Sequence, residues 1–495
     1  MYKTATIRKS DIWNSLYVRL LFYFFAATVF AYFGGLSFGD DGLRHIAFAA
    51  HKEIMHSWAN VFPHSLFFKE YDPWWPWHGI LRFYLFFFSY STVHIAINAS
   101  VYFLLFALID RLLVREGGFK ENYLIVILVL VTVLFSDMKY VNLRPDLLSG
   151  LFLMAGLLLR KNFWGLLLLS ALYGSCYYLF FLYTGALALT YLLIGERKSF
   201  TGIVVGSLVA LLVHLYVGGE YFLKTVLYLL EDQSLREGLE VIEGKPLFGF
   251  LGGINYFVLV TFLLGVVALL AYRFNRYFKK RPLALLLLVT SPLWMAQARY
   301  YYLLKPLFFL LFVMEFQTLS QLFLSRKVRY FFMRLIHMLK NLQKKNILTT
   351  LLLLYTAVVL GTVNMGSDNS KTLQQYAFYK QKRFDGKTIL LNGLSAEIYF
   401  ALYLNPTLHF VPSCSIGWFE NNKKMKKLYI EMQKESGIDE AQTAKLAHYV
   451  GASYYIHIMH NPKSDLSFSK MTKDGLIPVE ILHDRIIFKV IKEQK

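Results

Sequence analysis

The sequence predicts an α-helical polytopic membrane protein with about 11 transmembrane helices and a C-terminal extracytoplasmic α/β domain. Two observations predict this class. Hydrophobic residues make up 56% of the 495 residues and the mean hydropathy is +0.43, whereas soluble domains contain roughly 45–50% apolar residues. In addition, long apolar segments recur as far as residue 363, after which charged residues become frequent. We therefore expect a transmembrane domain at 1–363 and a periplasmic domain at 364–495.

Each apolar segment is a candidate span, because ~20 helical residues rising ~1.5 Å each cross a hydrocarbon core of ~30 Å. Two of the segments, 147–159 and 162–174, are short for a span, and Gly174 and Ser175 form the predicted turn after the second. The segments lie near residues 13–37, 88–109, 121–135, 147–159, 162–174, 177–195, 201–217, 253–272, 283–297, 301–324 and 347–363.

The distribution of basic residues predicts the orientation of these spans. With the N-terminus in the cytoplasm, the inner segments carry 23 Lys and Arg residues and the outer membrane loops carry 11. This is the asymmetry that the positive-inside rule describes, so the net charge of +20 does not predict a nucleic-acid partner. An odd number of spans then puts the C-terminus on the outer side of the membrane. We expect a bacterial inner membrane, for which the outer side is the periplasm. Two cysteines, Cys176 and Cys414, exclude a disulfide framework and a cysteine-based zinc site.

Three predicted outer segments lie between or after the spans and have a composition of their own. The loop 38–87 is rich in aromatic residues, and 218–252 is acidic and typical of an exposed helix and turn. Strands that alternate with helices predict a small α/β domain in the third segment. There we expect strands at 387–392, 407–411 and 453–459, helices at 395–404, 422–434 and 439–450, and a hairpin at 478–492 with its turn at His483 and Asp484.

An acidic motif directly follows the first span. Asp40 and Asp41 are followed after one helical turn by Arg44 and His45. Capping of the next helix is one explanation, because Asp is a good N-cap residue. The other is general base catalysis by one of the two carboxylates. Arg44 and His45 are then candidates to hold the acids or a substrate phosphate, and a local ion pair is the alternative.

Further candidate ligands for a substrate lie in the outer loops. His78 follows three tryptophans, which suit either a membrane-interface belt or contact with a sugar ring. Asp137, Arg144 and Asp146 lie in the outer loop that leads into the fourth span, where a structural Arg–Asp pair or cap is the alternative to binding phosphate, sugar or metal. Arg299 and Lys305 lie next to lipid, either bound to a lipid phosphate or extended toward the interface.

The motif from Gly39 to His45, the aromatic first loop, Arg144-Pro145-Asp146 and the outer C-terminal domain together resemble the GT-C superfamily of integral membrane glycosyltransferases. Its members include protein O-mannosyltransferases and the bacterial aminoarabinose transferase. The resemblance implies that Asp40 or Asp41 is the catalytic base, with Asp40 favoured, although Asp41 stands where several relatives have Glu. It also implies a polyprenyl-phosphate sugar donor, an inverting single displacement at the outer face, and cations that stabilise the departing lipid phosphate.

The expected partners are this donor, membrane lipids and a glycan, lipid or protein acceptor. A divalent cation, Mg²⁺ or Mn²⁺, is left open as a cofactor and no metal ligands are assigned. A lipid-linked glycan transporter or flippase is the main alternative, and an O-antigen polymerase or ligase is the second. A membrane acyltransferase with His45, His51 or His56 as its base is a weaker alternative.

Overall fold

The structure is a computed structural model, and it describes part of the chain. Several predictions lie outside the described residues. They are the spans at 121–135 and 347–363, the helix at 422–434, the hairpin turn at 483–484 and the site residues Asp40, Asp137, Arg144, Asp146 and Arg299. The described residues are 16–34, 41–50, 61, 72, 74–115, 147–231, 256–296, 304–312, 314–315, 330, 334, 374–391, 397–411, 440–458, 472–482 and 485–491.

The described residues are mostly helical, with one small sheet near the C-terminus. The chain divides into two compact units. The first unit combines residues 1–37, 86–213 and 240–367, and the second combines residues 38–85, 214–239 and 368–495.

The first unit consists of apolar helices. Their sequences are rich in Leu, Val, Phe and Ala, so burying or covering their side chains favours the helices more than local propensity does. The helices are α1 (Leu16–Gly34), α4 (Val93–Arg115), α5 (Leu147–Leu158), α6 (Phe163–Cys176), α7 (Phe180–Leu193), the part of α8 (Arg197–Glu231) up to Val213, α9 (Tyr256–Arg273), α10 (Asn275–Lys280), α11 (Pro282–Val289) and α12 (Ser291–Ala296).

Two helices in the described part of the chain, Val93–Arg115 and the Arg197–Leu223 portion of α8, are long and apolar enough to cross a membrane. Several others are apolar but shorter, among them α5, α6 and α7. The predicted segment 283–297 is divided at Thr290 into α11 and α12. Within α8, Gly219 has a φ of 52° and interrupts the helix, two residues beyond the end of the predicted span at 217. Glycine adopts this left-handed conformation at little cost.

The predicted turn at Gly174 and Ser175 is wrong, because α6 continues through both residues to Cys176. The turn comes after Tyr177 instead. Gly174 is required by packing: a Cβ atom at this position would lie 2.5 Å from the Cβ of Ala210 on α8. Small residues allow helix backbones to approach each other closely, and the sequence pattern alone does not distinguish this use of glycine from a turn.

Arg19 is one of the 23 basic residues that the charge pattern assigns to the inner segments. It lies inside α1 and is 1% exposed, with its Nε atom 3.7 Å from Oδ2 of Asp110 on α4. The hydroxyl of Tyr23 donates a hydrogen bond of 3.1 Å to the other oxygen of Asp110. This buried polar cluster holds α1 against α4. Without Arg19, the inner segments still carry 22 basic residues against 11 in the outer loops, so the charge asymmetry remains.

The second unit contains α2 (Asp41–Ala50), α3 (Trp75–Leu85) and a mixed sheet with its helices. The predicted strands, helices and hairpin are confirmed where they are described, with ends that differ from the prediction by at most three residues. Two short 3₁₀ turns, Ala377–Lys380 and Lys382–Phe384, precede the sheet. The later elements are β1 (Thr388–Leu391), α13 (Glu397–Leu404), β2 (His409–Val411), α14 (Glu440–Tyr449), β3 (Tyr454–Ile458), β4 (Leu476–Ile481) and β5 (Arg485–Val490).

The sheet has the strand order β2-β1-β3-β5-β4. Strand β1 pairs in parallel with β2 and β3, while β3–β5 and β5–β4 are antiparallel. Pro478 lies in the edge strand β4 next to an irregularity in pairing, a position where the missing N–H is tolerated. The core is formed by residues of the sheet and α14, including Leu390, Leu446, Tyr455 and Phe488.

Candidate functional site

Helix α2 carries the second half of the acidic motif and is buried. It begins at Asp41, and every residue from 42 to 49 is buried. Arg44 and His45 are 4% and 1% exposed. The helix packs against α3 and α13, so the segment predicted as an outer loop supplies a core helix of the second unit.

The start of α3 is fixed by Asp72. The backbone N–H of Trp74 donates to Oδ1 of Asp72 at 2.9 Å, and the N–H of Trp75 donates to the carbonyl of Asp72 at 3.1 Å. Such Asx turns hold an aspartate side chain against the first turn of a helix. Trp74 and Trp77 are 9% and 2% exposed, so these two rings pack inside the unit rather than forming a membrane-facing belt.

Three buried side chains form a chain of contacts between α3 and α2. Oδ2 of Asp72 lies 2.8 Å from Nδ1 of His78, and both side chains are fully buried. On the other side of the same ring, Nε2 of His78 lies 2.7 Å from Nδ1 of His45. We call Asp72, His78 and His45 the histidine relay. It joins a carboxylate near the start of α3 to the first turn of the acidic-motif helix.

The two imidazoles of the relay hold each other in place. For their 2.7 Å contact to be a hydrogen bond, one ring nitrogen must donate and the other must accept. The Asp72 carboxylate on the far side of His78 restricts how that ring can turn. The relay therefore fixes the position of His45 on α2 relative to α3.

Aromatic rings surround the relay. The ring of Trp74 meets the ring of His45 edge to face, with their centroids 5.7 Å apart. The ring of Phe48 meets the ring of His78 in the same way, with their centroids 5.3 Å apart. The guanidinium of Arg44 lies over both aromatic rings, at 5.6 Å from Trp74 and 5.8 Å from Phe48. These cation–π contacts help hold a buried cation on α2 and keep water away from the imidazoles.

The structure thus brings together Arg44, His45 and His78 of the predicted site. Asp41 is the first residue of α2. Lys305 belongs to the first unit, where it is 8% exposed and lies in the helical stretch 304–312. The other predicted site residues lie outside the described part of the chain.

Asp72 was not assigned a role from the sequence. The available signal was its position: an aspartate just before a helix, followed after six residues by a histidine. His45 and His78 were assigned separately, because their meeting depends on how α2 and α3 pack. Among the described residues, no group of three or more His, Cys, Asp or Glu side chains is arranged to hold a metal ion.

No protein-family model matches this chain, and no curated protein is similar to it.

Proposed function

We propose that this protein is an inverting membrane glycosyltransferase of the GT-C type, which moves a sugar from a polyprenyl-phosphate donor to a lipid, glycan or protein acceptor at the outer face of a bacterial inner membrane. The proposal joins the resemblance in the acidic motif to the geometry of the second unit. It includes a polytopic membrane domain with the N-terminus in the cytoplasm.

The division of the chain supports this topology. The second unit gathers residues 38–85, 214–239 and 368–495. The charge pattern independently predicts outer segments at 38–87, 218–252 and 364–495. Segments far apart in sequence are expected to share a compact unit if they lie on the same side of a bilayer. The apolar helices of the first unit have the composition of spans.

The observation that carries the proposal is the fixation of α2 by the histidine relay. A general base must be held within a few tenths of an ångström of the acceptor. Arg44 and His45 anchor the first turn of α2 in the interior, so Asp41 stands at the start of a helix that is held in place. The positive end of a helix dipole also favours the ionised carboxylate, which is the form a base requires.

The proposed reaction is a single displacement at the anomeric carbon of the donor sugar. An acceptor hydroxyl attacks the anomeric carbon, its proton passes to Asp40 or Asp41, and the bond from the sugar to the lipid phosphate breaks. His45 lies one helical turn after Asp41, and its contact with His78 holds this turn of α2 in place. Arg144, Arg299 and Lys305 remain the sequence-based candidates for stabilising the leaving phosphate.

The test uses the purified full chain in nanodiscs with a panel of polyprenyl-phosphate sugars and acceptors. We expect acceptor-dependent release of polyprenyl phosphate. Asp40→Asn or Asp41→Asn should reduce the release at least ~100-fold, the lower end of what a general base contributes. Asp474→Asn in the C-terminal domain is the matched control and should retain activity.

Three outcomes separate the alternatives. Full turnover by both motif variants overturns the base assignment. Movement of the donor across a liposome bilayer without release of lipid phosphate supports the flippase. Joining of two lipid-linked glycans, rather than transfer of one sugar, supports the polymerase or ligase.

A further inference from the structure

Three connections between helices of the first unit are joined at one end of the helices. The Arg160 guanidinium donates to the carbonyl of Lys279 at 2.8 Å. The Lys161 N–H donates to Oγ of Ser199 at 3.0 Å. The Asn275 amide donates to the carbonyl of Leu193 at 3.3 Å. These bonds hold together the helix ends at the connections α5–α6 and α7–α8 and at the two ends of α10.

The joined connections carry an excess of positive charge. Two acids approach them in the described residues, and each already binds an arginine: Glu196 lies 2.8 Å from Arg160, and Glu315 lies 2.8 Å from Arg281. The remaining bases are exposed. We call them the basic surface: Lys161, Arg197, Lys198, Arg273, Arg276, Lys279 and Lys280.

Like charges held close together repel each other, and a surface of this kind is stabilised when anions bind to it. Repulsion is reduced by salt but is not removed within a Debye length of ~8 Å. The hydrogen bonds between connections prevent the cations from separating freely. We therefore expect the basic surface to bind an anionic partner.

The helices next to the basic surface indicate which class of anion binds there. Trp164, Leu168 and Leu172 form an exposed stripe along α6, with 74%, 59% and 60% of each residue exposed. Their spacing of four puts them on one face, and the stripe ends beside Lys161. On α9, Leu269 and Tyr272 are 72% and 87% exposed and end beside Arg273.

An apolar stripe that ends in an aromatic ring and then a cation is the pattern of a helix passing from hydrocarbon to headgroups. A soluble polyanion would neutralise the cations but would leave the apolar stripes exposed to water. We propose that the basic surface binds the phosphate headgroups of anionic phospholipids. The inference rests on the membrane embedding included in the proposed function, and it does not depend on glycosyl transfer.

The test uses Trp164 as a reporter at the edge of the surface. The full chain is placed in nanodiscs that contain either brominated phosphatidylglycerol or the same fraction of brominated phosphatidylcholine. Subtracting the fluorescence of the Trp164→Phe variant isolates the quenching of Trp164. We expect roughly two-fold or greater quenching by the anionic lipid, because each nearby Lys or Arg attracts it.

Variants identify the charges that cause the preference. Lys279→Gln/Lys280→Gln and Arg197→Gln/Lys198→Gln should each lower the preference toward one. Lys380→Gln/Lys382→Gln removes two exposed charges of the C-terminal domain and is the matched control that should leave it unchanged. Because Gln replaces exposed side chains, folding is checked by an unchanged melting temperature. Raising salt from about 0.05 to about 0.5 M should also weaken the preference.

Equal quenching by both lipids would overturn the proposal, and so would a preference that the variants of the basic surface leave unchanged. Absence of quenching by either lipid would overturn both this proposal and the membrane embedding. A clear lipid preference in a protein that transfers no sugar would support this inference while counting against the transferase.

Discussion

Nε2 of His78 and Nδ1 of His45 lie 2.7 Å apart, and both rings are buried. At this distance the two nitrogens share one proton, so one ring donates and the other accepts. The Asp72 carboxylate lies 2.8 Å from the opposite nitrogen of His78 and is fully buried. The position of α2 in the second unit therefore depends on an aspartate that begins another helix.

The first prediction concerns this dependence. His78→Phe keeps a ring in place but leaves the Asp72 carboxylate buried beside an apolar side chain. We expect a loss of ~3 kcal/mol in stability, since removing one partner of a buried charge pair costs about that much. Loss of Trp fluorescence on heating, in detergent, measures the effect on the second unit.

A double-mutant cycle gives the control. Asp72→Asn preserves an acceptor for the N–H of Trp74 while removing the charge. The double variant should lose at least ~1 kcal/mol less than the sum of the single variants, because side chains in contact are coupled. Strictly additive losses would show that Asp72 and His78 do not depend on each other.

The second prediction concerns alkaline pH. Burial of the phenol, reinforced by the Glu397 carboxylate that accepts its hydrogen bond at 2.7 Å, raises the pKa of Tyr379 well above the usual value of 10.0. Burial also raises the pKa of Tyr455. The folded domain then holds these protons more tightly than the unfolded chain. Its stability is complete below pH ~10 and falls as the pH rises further, by up to ~1.4 kcal/mol per pH unit for each tyrosine.

Pulse proteolysis of the full chain in urea, between pH 8 and 11, measures this fall for the C-terminal domain. Tyr379→Phe should lower stability at pH 8 by ~1 kcal/mol, because a buried hydrogen bond is lost. It should also make the decline above pH 10 shallower. A decline of unchanged steepness would mean that Tyr379 does not contribute to it.

The third prediction concerns close packing of α6 and α8. A Cβ atom at Gly206 would lie 2.3 Å from the backbone carbonyl oxygen of Leu167, and backbone cannot move away as a side-chain tip does. Gly206→Ala should cost ~1–3 kcal/mol and lower the melting temperature in detergent. Gly185→Ala on α7 is the matched control, since a Cβ there meets nothing within 4 Å. Equal melting temperatures for the two variants would contradict the packing.

The fourth prediction concerns the buried cluster between α1 and α4. Asp110→Leu removes the carboxylate that faces Arg19 and Tyr23 and should destabilise the first unit by ~3–5 kcal/mol. Arg19→Met/Asp110→Leu removes both charges and should recover a large part of that loss. Tyr23→Phe should cost ~1 kcal/mol. Thermal unfolding in detergent compares the three variants, and a double variant less stable than Asp110→Leu would exclude an Arg19–Asp110 pair.

Local pattern was sufficient for much of the fold. Alternating apolar residues and turn signals predicted the C-terminal strands, the helices at 395–404 and 439–450, and the final hairpin. Apolar runs predicted the helices from α5 to α7. The mistaken turn at Gly174 shows where this reasoning stops, because a glycine that loosens the backbone and a glycine that admits a neighbouring helix look alike in sequence.

The sequence by itself determined which residue types surround the acidic motif, and so identified Arg44, His45 and His78 as candidates. Only the tertiary structure decided that His45 and His78 touch, that Asp72 orients them, and that α2 lies in the interior rather than in an exposed loop. The physical reason is that helix propensity and apolar period act over a few residues. The contact between α2 and α3 joins side chains 33 positions apart and arises from packing, which a one-dimensional pattern does not encode.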